Sequence, residues 1–288
     1  PDTHDKIHQA AQKLNSRAIA GITTATVPND AFTAQSFENL ALGADKTVTL
    51  DSPQCVQTFQ LYADLVGKYS VPGAQDVDTT RATYFAGDAA MFIWSSFVLD
   101  ELAGLRNDAL PSCPECGADP AFLANNTGVV TAISGPDGGA PAQFGEITSW
   151  TITEGSDTEN AQAFVEYMMS DGYEPWIAIA PEGKVPVRLG TPEEPTLYSD
   201  AWATLPAGVD TKAPLSDFYS PEVLEAVATG PENLARWGIE QGQGDLLGAL
   251  QGEQPVAEAV SAVTQGDDAQ SAAETAAETA RSVADSVR

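Results

Sequence analysis

The sequence predicts an α/β layered architecture in two lobes, and two observations carry that reading. Helical periodicities alternate with short apolar runs, as in residues 55–66 followed by 90–94, instead of hairpin following hairpin. The length, 288 residues, is about twice the usual domain size, which makes a two-lobed body with a sizeable core the expectation.

The chain opens in a helix, with Asp2 placed to cap it and Ile7, Ala10, Ala11 and Leu14 recurring on one face. Residues 17–22 read as a short strand, and a polar turn through Asn29 and Asp30 leads to the apolar run of Phe32, Phe37 and Leu40. After residues 47–50, Ser52 is a natural N-cap and Pro53 fits the first helical position. Cys55, Val56, Phe59, Tyr62, Ala63 and Val66 then form one stripe. A short helix ends near Phe85 and Gly87, residues 90–94 read as a buried strand, and 98–105 as a further helix. Loops rich in Gly and Pro at 111–120 and 134–141 flank a strand over 127–133, and the second loop is a hinge or crossover candidate. Residues 146–153 alternate like a strand. Thr158 begins a helix with Ala161, Phe164, Val165 and Met168 inward. Later helices start at Ser220-Pro221 and at Pro255, and the Ala-rich end reads as a surface helix or frayed tail.

Charge narrows the partners. There are 41 acidic residues against 13 basic ones, a net charge of −28, which disfavours nucleic acid and anionic membrane surfaces because both require clustered Lys and Arg. The acids are spread through segments that read as folded, so they describe a hydrated surface and not an interaction arm. Concentrated salt screens such self-repulsion, the Debye length shrinking to roughly 3 Å at 1 M, and the composition reads as halophilic adaptation. No stretch reaches the roughly 20 apolar residues that span a bilayer.

Few motifs carry chemistry. His4 and His8, in HDKIH, have the spacing that places two imidazoles on one helix face, but with no third histidine they read as exposed structural residues. Cys113 and Cys116, in CPEC, fit a zinc knuckle, a redox pair or a small disulfide, the last favoured outside the cytoplasm. Cys55 lies on an apolar stripe and reads as a buried thiol. No nucleophile elbow, phosphate loop or dinucleotide fingerprint is present, which leaves no cofactor and no catalytic residues to name.

The segment YFAGDAAMFIWSSFVLDEL, residues 84–102, resembles the most recognisable stretch of the family 1 extracellular solute-binding proteins of ABC importers, the carbohydrate-binding, maltose-binding-protein-like type. Phe85, Gly87, Ala89, Ala90 and Met91 stand in that pattern, with Phe97 where the family commonly has tryptophan. PDTHDKIHQAAQKL is similar to the family's PxTWxE helix, residues 47–62 to the segment before the helix of the second lobe, and SWTITEGSDTENAQAFVEYMMS to the unit that crosses back into the first lobe. EGKVPVR is similar to the following GxxPxR, and the matches together cover about residues 1–190 in order.

The resemblance implies a two-lobed periplasmic-binding-protein-like fold of type II with its first lobe incomplete. Residues 1–143 would be most of the second lobe, 144–182 a returning piece of the first, 183–265 second-lobe and hinge helices, and 266–288 the Ala-rich end. It implies a non-catalytic, monomeric receptor held outside the cell by a lipid anchor upstream of this chain, delivering a sugar or oligosaccharide to permease subunits. Other ligands in the same fold are a polyamine, glycerol phosphate or a metal chelate; a metal-dependent hydrolase using His4, His8 and the cysteines is the distant alternative. By position it places Asn29, Asp30 and Phe32 on a cleft loop, Trp94, Ser95 and Phe97 at the strand-to-helix mouth, and Thr148, Ser149 and Trp150 at the crossover. Read from the residues alone, Trp94 and Trp150 equally suit core packing, and Asn29-Asp30 an ordinary turn.

Overall fold

A computed structural model describes residues 1–44 and 49–287, so Thr47, where the second-lobe segment was expected to begin, lies outside the described residues. Helix α1 (His4–Leu14) starts at Thr3, whose side chain accepts a hydrogen bond from the Lys6 amide, and buries Ile7 and Ala11. The next stretch passes so close to α1 that a Cβ on Gly21 would overlap the Ala11 backbone. Helices α2 (Ala31–Ala41) and α3 (Pro53–Tyr69) follow, capped by Asp30 and Ser52, with Pro53 at the first position of α3. Helix α4 (Val77–Phe85) carries a capping box between Asp76 and Thr79. Helix α5 (Val98–Leu102) is one turn shorter than the sequence suggests, and α6 (Phe122–Asn126) has no periodic signal to announce it.

The remainder is β1 (Gln143–Phe144), α7 (Thr158–Met168), α8 (Tyr173–Ile177), a 3-10 turn at Pro181–Gly183, α9 (Leu197–Trp202), β2 (Pro206–Ala207), β3 (Ala213–Pro214), α10 (Pro221–Thr229), β4 (Leu234–Ala235), α11 (Gly244–Glu253), α12 (Pro255–Gln265) and α13 (Ala269–Ser286). β1 pairs in parallel with β4, and β2 antiparallel with β3.

The expected strands are mostly reduced to single bridges. Residues 17–22 and 90–94 do run side by side, but they bond only around Ala20–Ala89 and Thr23–Phe92; residues 127–133 contribute one bridge, Ile133–Ala142. Residues 146–153 form no strand. A parallel ladder gains stability from further strands on either side, and the described residues provide none here.

Two cores result. The first gathers α1, α2, α3, α12 and α13 around Phe37, Phe59 and Tyr62, the rings of Phe37 and Phe59 stacked with centroids 4.1 Å apart, and it encloses Cys55. The Ala-rich end is a helix that contributes Ala272, Ala273, Ala276, Ala277 and Ala280 to this core, because methyl side chains at helical spacing let α13 approach α12 and α3 closely. His4 also sits here. It is buried, with Nε2 2.8 Å from the Leu40 carbonyl, which corrects the expectation of an exposed histidine: one hydrogen bond to a core carbonyl satisfies the ring.

The second core gathers Phe85, Val98, Leu99, Leu102, Tyr173, Trp202, Leu215 and Tyr219 from α4, α5, α8, α9 and the segment before α10. The buried polar tips are satisfied: Trp202 Nε1 donates to Pro181 O at 2.7 Å, and Tyr219 OH donates to Leu99 O at 2.7 Å.

Candidate functional site

The turn before α2 brings the first expected residues together. Asn29 adopts φ 56°, a left-handed conformation that asparagine tolerates better than most residues, and is exposed. That turn lets Asp30 fold back and accept the Phe32 amide at 3.0 Å, so Asp30 serves as the N-cap of α2. Phe32 is half-buried against Trp94, their ring centroids 5.6 Å apart at 56°.

Trp94 is fixed on three sides. Its Nε1 donates to Val77 O at 3.1 Å, Phe32 flanks it, and the Arg81 guanidinium lies over the ring 5.7 Å from the centroid. Arg81 in turn donates to Glu101 at 2.9 Å and to Asp78 at 3.0 Å. Beyond Trp94 the chain turns into α5, where exposed Ser95 accepts the Phe97 amide at 3.3 Å. Phe97 is 47 % exposed, and one edge of its ring rests on Gly183, where a Cβ would overlap it.

Thr148 and Ser149 are exposed on the segment between β1 and α7. Trp150 joins a separate aromatic group, 5.4 Å from both Phe164 and Trp176, which continues through Tyr173 to Tyr198 under Arg188. Among the described residues no ring contact links this group to Phe32 and Trp94. Of the residues expected to line a ligand site, the structure thus brings Phe32 against Trp94 and holds Trp150 in a separate group of rings.

Three features went unread in the sequence. One is Arg81, for which the scarcity of cations was the available signal: an arginine inside the recognisable segment of so acidic a chain is conspicuous. Another is a buried carboxylate group behind the aromatic edge. Asp100, Glu101 and Glu182 all lie in the second core, and both Asp100 oxygens, Glu101 Oε2 and Glu182 Oε2 find no hydrogen-bond partner among the described residues. Burial is the main force raising the Asp100 pKa to about 7, with Glu182 adding repulsion and Arg106 opposing it. Burial raises Glu101 as well, against the pull of Arg81 and Arg106.

The third is a clamp where β1 and β4 meet. Glu38 on α2 accepts the Trp237 amide at 3.0 Å, Asn39 accepts the Phe144 amide at 3.0 Å, and Arg236 reaches Glu146 at 3.5 Å. Burial raises the Glu38 pKa to about 7 despite that amide and Arg236. An apolar cavity of about 60 Å³ lies beside the clamp, lined by Ala34, Leu50, Phe144 and Leu250, and it contains none of the expected ligand residues.

Cys113 and Cys116 are joined by a disulfide. Among the described residues no group of three or more His, Cys, Asp or Glu is placed to hold a metal ion, and no helix is long and apolar enough to cross a membrane.

No protein-family model and no curated relative matches the chain. Solved structures do. An ABC transporter solute-binding protein from Thermotoga lettingae TMO, bound with α-D-tagatose, superposes with a TM-score of 0.61 at 18 % identity over 98 % of this chain and 64 % of its own. The chain has the fold of a solute-binding protein. A sugar transporter from Arthrobacter chlorophenolicus A6 with bound laminaribiose matches 98 % of this chain and 65 % of its own at TM-score 0.58 and 17 % identity. UgpB from Mycobacterium tuberculosis, in complex with glycerophosphocholine, matches 99 % of this chain and 64 % of its own at TM-score 0.57 and 15 % identity. The chain therefore spans just under two thirds of the length of these solute-binding proteins, in a mixed, helix-rich version of their two-lobed fold.

Proposed function

We propose that this chain is the larger part of an extracellular, non-catalytic receptor of an ABC importer, which binds a neutral sugar or oligosaccharide between two lobes and delivers it to the permease. The carrying observation is the aromatic edge of Phe32, Trp94 and Phe97, which borders a turn and a helix start in a fold whose solved relatives hold laminaribiose and tagatose. Aromatic faces stack on sugar rings, while Asn29, Ser95, Thr148 and Ser149 offer exposed groups for hydroxyl hydrogen bonds. Asp30 shapes the turn that carries Asn29 and Phe32, and Trp150 is the proposed stacking residue of the crossover segment.

The proposed division is a second lobe over residues 1–143, a returning first-lobe segment over 144–182, second-lobe and hinge helices over 183–265, and α13 as the closing helix. Its support is the surface that is left uncovered. Helix α7 buries none of its residues although Phe164, Val165 and Met168 lie on it, and Ile147 before it is 60 % exposed. An amphipathic helix with a bare apolar face needs a partner, and the further third of the length of the related proteins is the proposed one. The receptor works as a monomer, tethered outside the membrane by a lipid anchor, its acidic surface suited to high salt.

Titrating the full-length protein with sugars and polyols while following tryptophan emission tests this reading. A saturable shift with at least one neutral sugar is expected; silence across the panel would refute it.

A further inference from the structure

Helix α5 and the turn at Pro181–Gly183 meet where two carboxyl groups are left without donors. Asp100 on α5 is fully buried and Glu182 on the turn is 5 % exposed; both Asp100 oxygens and Glu182 Oε2 have no hydrogen-bond partner among the described residues. The groups that face them are committed elsewhere or add like charge. Arg81 donates to Glu101 and Asp78, Arg106 makes two hydrogen bonds to Asp108, and the Tyr219 hydroxyl donates its proton to Leu99 O. Glu101 repels Asp100, and Lys184 and Lys212 attract Glu182 but are outweighed by its burial. An ionised carboxylate with no donor is strongly disfavoured in an interior, so these two groups are tolerated there as neutral carboxyls. Burial first, and Glu182 second, raise the Asp100 pKa to about 7, and burial raises Glu182 as well.

The same turn bears on the aromatic edge. A Cβ on Gly183 would overlap the Phe97 ring, so the edge of that ring lies directly on the turn's backbone. Phe97 and Asp100 are one helical turn apart at the start of α5, as Gly183 and Glu182 are neighbours on the turn, so the ring contact and the carboxyl contact join the same two elements. The far end of the turn is tied down separately, because Trp202 Nε1 donates to Pro181 O at 2.7 Å. We propose that Asp100 and Glu182 are positioning residues that form a proton-held latch: while they are neutral the turn stays seated on α5 and backs the Phe97 ring, and when both ionise their repulsion moves Glu182 and Gly183 off α5 and leaves the ring unbacked. Pro181, held by Trp202, is the pivot. The consequence for ligand rests on the reading of Phe97 as part of the sugar-stacking edge. A ring without backing has to be ordered by the ligand, so affinity falls where the latch opens. The receptor therefore holds its sugar more tightly in mildly acidic than in alkaline surroundings.

The test uses the full-length protein, a panel of neutral sugars and polyols at pH ~6 and pH ~9, and the variants Asp100→Asn, Glu182→Gln, Phe97→Trp and Phe97→Trp/Glu182→Gln. The parent is expected to bind sugar about tenfold more weakly at the higher pH, within what linkage to one proton allows over that range. Asp100→Asn and Glu182→Gln each leave only one of the two carboxyls to ionise, and both are expected to keep their affinity. A melting curve at each pH shows that each variant is folded. Without ligand, acrylamide quenching of the indole added by Phe97→Trp, taken against the parent, is expected to rise at the higher pH, and not to rise in Phe97→Trp/Glu182→Gln. Carboxyls that merely fill space would give parent and variants one pH profile. Quenching that ignores pH, quenching that rises equally with Glu182→Gln, or variants whose sugar affinity falls with pH as the parent's does each overturn the latch. Quenching that changes as expected beside sugar affinity that does not keeps the latch and removes Phe97 from the ligand site. Absence of sugar binding at both pH values removes the receptor reading, while the quenching still decides the latch.

Discussion

At the scale of residues, the most consequential side chains are carboxylates that the fold has taken out of water. Asp100 is fully buried with neither oxygen hydrogen-bonded among the described residues, and Glu38 has one amide and one nearby guanidinium to offset its burial. Both have pKa values raised to about 7 from ordinary values near 3.8 and 4.5, so between pH ~4 and ~7 the folded chain holds protons that the unfolded chain has released. Stability from these two groups is therefore fully present below about pH 4, declines as pH rises, and is lost above about pH 7. Thermal melting against pH should show that decline. Asp100→Asn should flatten it and stabilise the chain at pH 8 by on the order of 2 kcal/mol, and a variant less stable than the parent at pH 8 would contradict this account. None of it was legible beforehand, because in a chain with 41 acidic residues nothing local marks the few that are enclosed. His4 is a different case: three and seven residues before Ile7 and Ala11, it shares their buried face, where the Leu40 carbonyl from another helix meets its ring, so its burial is readable from spacing and the exposed reading is corrected.

At the scale of elements, local chemistry was the readable part. Ser52 with Pro53, Thr158 after its capping Asp157, and Ser220 with Pro221 start helices where the sequence places them, because a cap and a fixed φ need no tertiary help. Ser52→Ala, which removes the acceptor for the Cys55 amide, should cost about 1 kcal/mol in denaturant unfolding. Strands were less readable, since an apolar run of five residues becomes a ladder only if neighbours align on both sides, and here 17–22 and 90–94 meet at isolated points. Helix α13 is hard to place from sequence because its buried face is alanine, and no large apolar side chain marks it. Ala273→Leu, at a position with no exposure, should therefore overpack the contact with α3 and α12 and destabilise by about 1–3 kcal/mol, while Thr275→Leu on the exposed side should be nearly neutral; equal effects would show that α13 is not docked as described.

At the scale of the whole molecule, the ordered motifs in residues 84–102 and their flanks read the fold correctly, and the solved solute-binding proteins agree over nearly the full chain. What the sequence left open was which expected residues meet: Phe32 and Trp94 are in contact, whereas Trp150 stands with Phe164 and Trp176 on a segment whose apolar side is uncovered. Net charge acts at this scale too. With −28 on the chain, raising salt from ~0.1 M to ~1 M should screen the self-repulsion and raise the melting temperature, and a melting temperature that falls with salt would argue against adaptation to brine. The central claim, that the aromatic edge at Trp94 stacks on a neutral sugar, is tested most directly by calorimetric titration of the full-length protein and its Trp94→Ala variant side by side. Saturable binding of at least one neutral sugar by the parent, weakened by tenfold or more in the variant, is the predicted result, about 1.4 kcal/mol or more of lost binding free energy. Identical binding by both proteins, or none by the parent, would contradict it.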